Sequence, residues 1–464
     1  RVKQLLVPGA VYRQWMRANF AGNSAPDIVE YGAGLAGLSD LPVRYFEPLT
    51  EQLLMPNPYN AGTELAGLPW MKTFLDELME QRMNSPEPGQ YYAVTLAQGS
   101  ERLFVNRELL AEVTGSSERE EDFEAMREIF RQTAAYSEEQ GRMIKPFSGS
   151  KDNTVWMMQF FMKGIANKLS QSLDDDGLLS MPTWQTQWKY LNGEWNFRDP
   201  TFLAGFRLLS EVEQQMRPGY MGFLRDDAVR QFLGKEVLFM FAGTWDATTL
   251  RRLADFPVDA WRCPQPSTSD PIVGEHMLGH YADGTSSTGI AFYLNKRSPN
   301  KEAAIDFLRF LTSYEGNKLF TDNSGWPPSV KTVPVAPEIT SFISPEDGYM
   351  YYGPNFSIGG GTRDLFRKNL HLLNGPEGSV EKLAIALDEQ MPKVVRSALA
   401  VHERSRWAVL PQDARIVAYG GLREADPDDP VFAVRQERLE AAQNLSEARA
   451  LLIARQLEIT KDKL

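Results

Sequence analysis

A chain of 464 residues with one cysteine, Cys263, can form no internal disulfide and no thiolate metal cage. Histidine is almost as scarce. The four present, His276, His280, His371 and His402, are too scattered for a multi-histidine metal centre. Basic charge is in deficit, with 49 Lys and Arg against 61 Asp and Glu. The resulting net charge of -12 repels a phosphate backbone and no Lys/Arg block overrides it, which argues against nucleic acid as a partner. Long apolar runs are missing too. None approaches the ~18 to 20 residues of a membrane-spanning helix, because Arg, Asp or Gly interrupts each one. Residues 1–7 lack a charged n-region, an apolar stretch and a small-residue cleavage site, so any export signal is expected to lie outside this chain. No internal repeat or low-complexity tract points to a solenoid or a propeller.

What is present is a large apolar content, 42% of residues, enough for two or three packed units at roughly 100 to 200 residues each. Short apolar runs at 27–31, 91–96, 237–241 and 288–294 end in Gly, Ser, Thr or Asn and read as strands. Helical periodicity predicts a helix over 301–312, after Ser298-Pro299-Asn300, and a second over 314–322. Gly325-Trp326-Pro327-Pro328 must then be an irregular turn. Further helices are expected at 12–20, 74–81, 118–140, 201–215, 228–232 and 380–397. Residues 411–430 read as a Gly/Asp/Pro linker, and 431–459 as a charged helix capping the fold. Strands alternating with helices define an α/β architecture.

Four motifs suggest chemistry and fail its requirements. Gly32-Ala33-Gly34-Leu35-Ala36-Gly37 spells a dinucleotide fingerprint with Glu51 downstream, but Pro42 and Pro48 leave at most two turns for the helix that must face the pyrophosphate. It reads as a glycine loop beside a ligand cleft, and an NAD-dependent oxidoreductase is the alternative. His276 and His280 are four apart, yet Met277 occupies the position where a zincin needs Glu. Asp174-Asp175-Asp176-Gly177 resembles a calcium loop but has Ser172 at its first ligand position and Thr183 at its last. Gly284-Thr285-Ser286-Ser287-Thr288-Gly289 is one residue too long for a nucleophile elbow.

Aromatic content is the more telling signal. Of ten tryptophans, Trp156, Trp184, Trp188, Trp245 and Trp326 fall in expected loops among Ser, Thr, Asn, Gln and Asp. A flat ring beside fixed polar groups suits a ligand with an apolar face and a hydroxylated rim, such as a sugar.

Several segments, in order and spacing, carry a family likeness: Ala25-Pro26-Asp27-Ile28-Val29, Phe104-Val105-Asn106-Arg107-Glu108-Leu109, Ala242-Gly243-Thr244-Trp245, the helix from Lys301 to Leu308, and Gly325-Trp326-Pro327-Pro328-Ser329. Over about residues 1–400 the chain resembles the extracellular solute-binding proteins of the maltose-binding type, which feed ABC importers. The resemblance implies a two-lobed periplasmic-binding-protein-like fold (type II) with a hinge and an inter-lobe cleft. Lobe one would be 1–106 plus 283–339, lobe two 107–282 plus 340–400, and 401–464 an extension without a counterpart. The family's first strand has no match ahead of Pro26, as in a fragment.

The same resemblance implies a non-catalytic, extracytoplasmic, periplasmic or cell-surface monomer without cofactor or metal. It would bind a sugar or oligosaccharide and meet ABC permease subunits or, alternatively, signal to a receptor. Membrane attachment would come only through an N-terminal lipid anchor outside this chain. Carried onto this sequence, cleft-facing loops place Tyr31, Gly32, Gln98, Ser100, Ser150, Asn153, Trp156, Gly243, Thr244, Trp245, Asp246, Ser286, Ser287 and Trp326 as ligand contacts.

Overall fold

Strands buried along most of their length build two separate sheets. In chain order the strands are β1 (Ile28–Glu30), β2 (Ala93–Gln98), β3 (Glu101–Asn106), β4 (Lys145–Phe147), β5 (Val237–Gly243), β6 (Val258–Trp261) and β7 (Thr288–Leu294). The first sheet runs β1-β7-β2, all antiparallel; the second runs β4-β5-β3-β6, with only the β4 and β5 pair parallel. These assignments come from a computed structural model that describes every residue except 1, 8, 31–40, 79–84, 86–89, 119, 121, 176, 178–180, 283–287, 344–346, 350–352, 410–412 and 462–464.

The helices used below are α1 (Gly9–Ala21), α2 (Thr50–Leu54), α3 (Arg107–Thr114), α4 (Phe123–Glu139), α5 (Asn153–Ile165), α6 (Thr183–Asn192), α7 (Pro200–Gln214), α8 (Arg225–Leu233), α9 (Thr244–Leu253), α10 (Lys301–Leu311), α11 (Tyr314–Ser324), α12 (Thr362–Asn369), α13 (Val380–Val409), α14 (Asp413–Ala425) and α15 (Pro430–Ile459).

Each sheet is covered on both faces because successive strand residues point to opposite sides. In the first, Ala93 and Tyr293 meet Met16 and Phe20 of α1, while Val94 and Leu294 meet Leu53 of α2 and Ala304 and Leu308 of α10. In the second, Phe239 and Phe241 join a large cluster with α4, α5 and α7. Met240 and Ala242 face Phe232 of α8 and Leu250 of α9. The fold is therefore α/β, as the alternation of elements in the sequence requires.

The chain changes sheet between β2 and β3, at Gly99 and Ser100. Residues 101–106 thus hydrogen-bond inside the second sheet, although the sequence reading grouped them with the first. This junction is stitched to a later segment. The Ser100 amide donates to Thr244 Oγ1 at 3.0 Å, the Thr244 amide donates to the Ser100 carbonyl at 3.0 Å, and Ser100 Oγ donates to the Phe342 carbonyl at 2.7 Å. Arg102, only 1% exposed, donates to the carbonyls of Ser341 at 2.6 Å and Ile343 at 3.3 Å. A buried guanidinium is tolerated here because carbonyl oxygens replace its water.

Three expectations are corrected. No helix forms over 74–78: the Leu75 amide donates to the Ser329 carbonyl, Phe74 bridges to Val330, and Glu77 and Leu78 have positive φ of 51° and 59°. Burial of Phe74 and Leu78 in one cluster overrides a good local helix pattern. The supposed linker contains α14, whose Gly420 and Gly421 are tolerated because the helix packs on α15 and because the prolines lie outside it. The tryptophans expected in loops sit on helices, Trp156 on α5, Trp184 and Trp188 on α6 and Trp245 on α9; Trp326 alone of the five lies in a turn. Ten of the thirteen residues of α5 are buried, so packing, rather than capping or propensity, forms that helix.

After α12 and α13 pack against α7, α15 lies along α13 and inserts Ile453, 1% exposed, into the large cluster of the second sheet. The tail is part of that core. Ile453→Ala is expected to cost about 2 to 4 kcal/mol in urea unfolding; an unchanged midpoint would detach α15 from the core.

Candidate functional site

The junctions between the sheets bring together residues from distant parts of the chain. β5 runs straight into α9 at Gly243 and Thr244, so the expected turn there is a strand-to-helix junction. The Trp245 indole folds back over Gly243 so closely that a Cβ at Gly243 would lie 2.2 Å from the ring. Only glycine admits that approach. Trp245 remains 38% exposed and meets Trp156 of α5 edge to face, with ring centroids 5.9 Å apart. Two indoles expected at the site are thus in contact.

Trp326 stands against the first sheet. Its ring covers Gly289, where a Cβ would come within 2.4 Å of Cζ3, and comes close to Gly99. The Pro327 carbonyl accepts from the Gln98 amide at 3.0 Å, and Ser329 Oγ donates to the Thr95 carbonyl at 2.6 Å. The turn that carries Trp326 is therefore pinned to the end of β2. Nearby, Thr248 of α9 donates through Oγ1 to the Ser324 carbonyl at the end of α11, 2.7 Å away, joining the two sheets' helices beside this turn.

Other expected contacts are spent internally. Ser150 Oγ donates to Asn153 Oδ1 at 2.9 Å and Asn153 Nδ2 donates to the Phe241 carbonyl at 2.7 Å; both residues are buried. They fix the start of α5. Ser100 and Thr244 are buried in the stitch already described. Asp246 is ion-paired with Arg225, and its Oδ2 is enclosed without a hydrogen bond. Gln98 is half-buried at the strand end, opposite Thr288. Tyr31, Gly32, Ser286 and Ser287 lie outside the described residues, as does the rest of the Gly32 to Gly37 loop.

The sequence reading missed a polar stripe. On the otherwise buried α5 and the residue before it, Asp152, Trp156, Gln159 and Lys163 recur at helical spacing and stay half-exposed. Facing them is α12. Arg363 donates from Nη2 to Gln159 Oε1 at 2.7 Å and from Nε to Ser357 Oγ at 3.2 Å, while Arg367 donates to Asp152 Oδ1 at 3.1 Å. Burial, then the charge of Arg367, hold the Arg363 pKa below the usual arginine value. The detectable signal was the spacing 156, 159, 163 inside an apolar helix and the Arg pair four apart in Thr362–Asn369.

Elsewhere, Lys189 Nζ engages Asp175 at 2.7 Å, His276 lies in a single 3-10 turn, and no cluster of three His, Cys, Asp or Glu suited to a metal occurs among the described residues. Two further concavities, one beside Arg262 and Asp347, one beside Trp195 and Asp388, contain neither indole of the pair.

Taken with this geometry, the chain belongs to the family of bacterial extracellular solute-binding proteins, whose family model matches residues 12–342. Its fold is two-lobed. Solved structures with the same fold include a chitin oligosaccharide binding protein, 17% identical with 84% of this chain and 89% of that chain covered, at a TM-score of 0.58. The GacH receptor of Streptomyces glaucescens, described with acarbose, is 16% identical over 84% and 89% at 0.57. RafE from Streptococcus pneumoniae is 13% identical over 85% and 90% at 0.57. No curated protein sequence matches the chain. Among the described residues no helix is long and apolar enough to cross a membrane.

Proposed function

We propose that this protein captures a carbohydrate between its lobes and presents it to the permease of an ABC importer, without catalysing a reaction. The observation that carries the reading is the Trp156 and Trp245 pair beside the polar stripe of Asp152, Gln159, Arg363 and Arg367. A pyranose has an apolar ring face and a rim of hydroxyls, and such a wall offers stacking to one and directional hydrogen bonds to the other. The saccharide-binding neighbours of the same fold support the choice of ligand class. Trp326, on the first sheet, would close the opposite side.

In this reading lobe one comprises residues up to 98 plus 288–339, and lobe two comprises 101–282 plus 340–409 with the tail helices attached. The two would close over the solute because it binds the closed state more tightly. The protein would act as a monomer outside the cytoplasm, in the periplasm or tethered to the cell surface by a lipid.

A thermal-shift screen across neutral and acidic oligosaccharides tests the reading. A saccharide present at about 100 times its Kd should stabilise the protein by about 2.7 kcal/mol. Saturable micromolar binding of NADH with no saccharide response would replace it with the oxidoreductase alternative.

A further inference from the structure

The long tail helix α15 is anchored in lobe two at its C-terminal end. Ile453 enters the core of the second sheet, Arg396 of α13 donates to the Leu457 carbonyl at 3.0 Å, and Gln456 Nε2 donates to Asn192 Oδ1 of α6 at 2.5 Å. Arg396 thus reaches a carbonyl of the last turn, which lacks an amide partner within the helix. The other end of α15 reaches lobe one. Arg435, near its start, forms an ion pair with Glu51 of α2. From Arg435 to Ile453 the helix is continuous and about 27 Å long at about 1.5 Å per residue, so Arg435 moves as lobe two moves.

Both partners are held from behind. The Arg435 guanidinium lies 5.8 Å from the centre of the Tyr419 ring on α14, which itself packs on α15. On the other side, the Tyr91 amide donates to Thr50 Oγ1 at 3.0 Å, the Leu49 amide donates to the Tyr91 carbonyl at 2.7 Å, and Leu53 is buried. These contacts fix α2 beside the start of β2. The far end of β2, Gln98, adjoins the crossing between sheets at Gly99 and Ser100. Six strand residues at about 3.3 Å each put the anchor of α2 about 20 Å from that crossing. A hinge rotation of about 20° there carries Glu51 about 7 Å relative to lobe two, beyond the roughly 4 Å within which an ion pair holds. The contact therefore fits one arrangement of the lobes and not another.

We propose that the α14 and α15 tail is a strap between the lobes, in which Arg435 and Glu51 stabilise one lobe arrangement over the other and so tune the apparent affinity for the solute. This rests on the two-lobe reading above. A tie that forms in a single arrangement shifts the balance between arrangements by its own free energy, and a solute that prefers either one is helped or opposed by the same factor. The segment that carries the strap lies beyond the family match, which ends at residue 342.

The test is pulsed dipolar spectroscopy on the full chain without solute, spin-labelled through Asn323→Cys on α11 and Lys368→Cys on α12. Glu51→Lys and Arg435→Glu each set like charges against one another, and each should change the ratio of the distance populations about three-fold or more, in the same direction. The exchanged pair, Glu51→Lys with Arg435→Glu, should return the parent distribution. The Glu51 side chain is 62% exposed, so the fold does not depend on it, and urea midpoints of the variants verify this. Calorimetric affinity for any saccharide that the thermal-shift screen identifies should move in step with the populations. Distributions that neither single variant changes in a folded protein overturn the strap. Single variants that act alike, with no recovery in the exchanged pair, overturn the ion pair as its tie. Distances that respond as expected while no saccharide binds support the strap and overturn the carbohydrate reading alone.

Discussion

Trp245→Ala is expected to weaken solute binding about thirty-fold, or about 2 kcal/mol, in calorimetry, with the fold preserved. The residue is more than a third exposed, so little core stability depends on it, yet its ring rests on Gly243 at the strand-to-helix junction and against Trp156. Removing it deletes a rigid stacking surface and frees Trp156 to turn. The double variant with Trp156→Ala should therefore lose less than the sum of the single losses, by about 0.5 to 1.5 kcal/mol. Unchanged affinity in folded Trp245→Ala would remove this wall from the site.

The second large effect concerns the frame. Arg102→Met is expected to lower the stability of the ligand-free protein by about 3 kcal/mol, read from the urea midpoint. Methionine fills much of the volume of the buried Arg102 but takes the charged donor away from the carbonyls of Ser341 and Ile343. In the proposed lobe division those residues follow the last crossing from lobe one to lobe two, so binding should suffer along with stability. A variant that unfolds at the original midpoint would show that these hydrogen bonds contribute nothing net.

Why the sequence revealed some of this and hid the rest has physical causes. Strands β5 and β7 were legible because their apolar, largely β-branched and aromatic runs end at glycine or asparagine. β3 was hidden by Glu101 and Arg102 at its start, charges that normally argue against a buried strand and are accepted here only because Arg102 finds carbonyl partners. β4 was hidden by brevity and by Pro146, which is tolerated because the strand lies at the sheet's edge. In the candidate site, tryptophan was informative because its size and polarity are conspicuous wherever it falls. Ser150 and Asn153 misled, because a small polar residue at a loop end caps a helix as readily as it meets a ligand, and here they do the former. Arg363 was invisible because its partners, Gln159 and Ser357, meet it only in the fold.

The central claim, that the solute is held between two lobes that close on it, is tested most directly by a distance across the cleft. Asn323 on α11 and Lys368 on α12 are both exposed, and the single native cysteine, Cys263, is buried, so cysteines introduced at these two sites would take spin labels selectively. Pulsed dipolar spectroscopy should give a shorter distance distribution once a saccharide saturates the protein, as verified by calorimetry on the same sample. An identical distribution with and without saturating saccharide would contradict closure between the lobes.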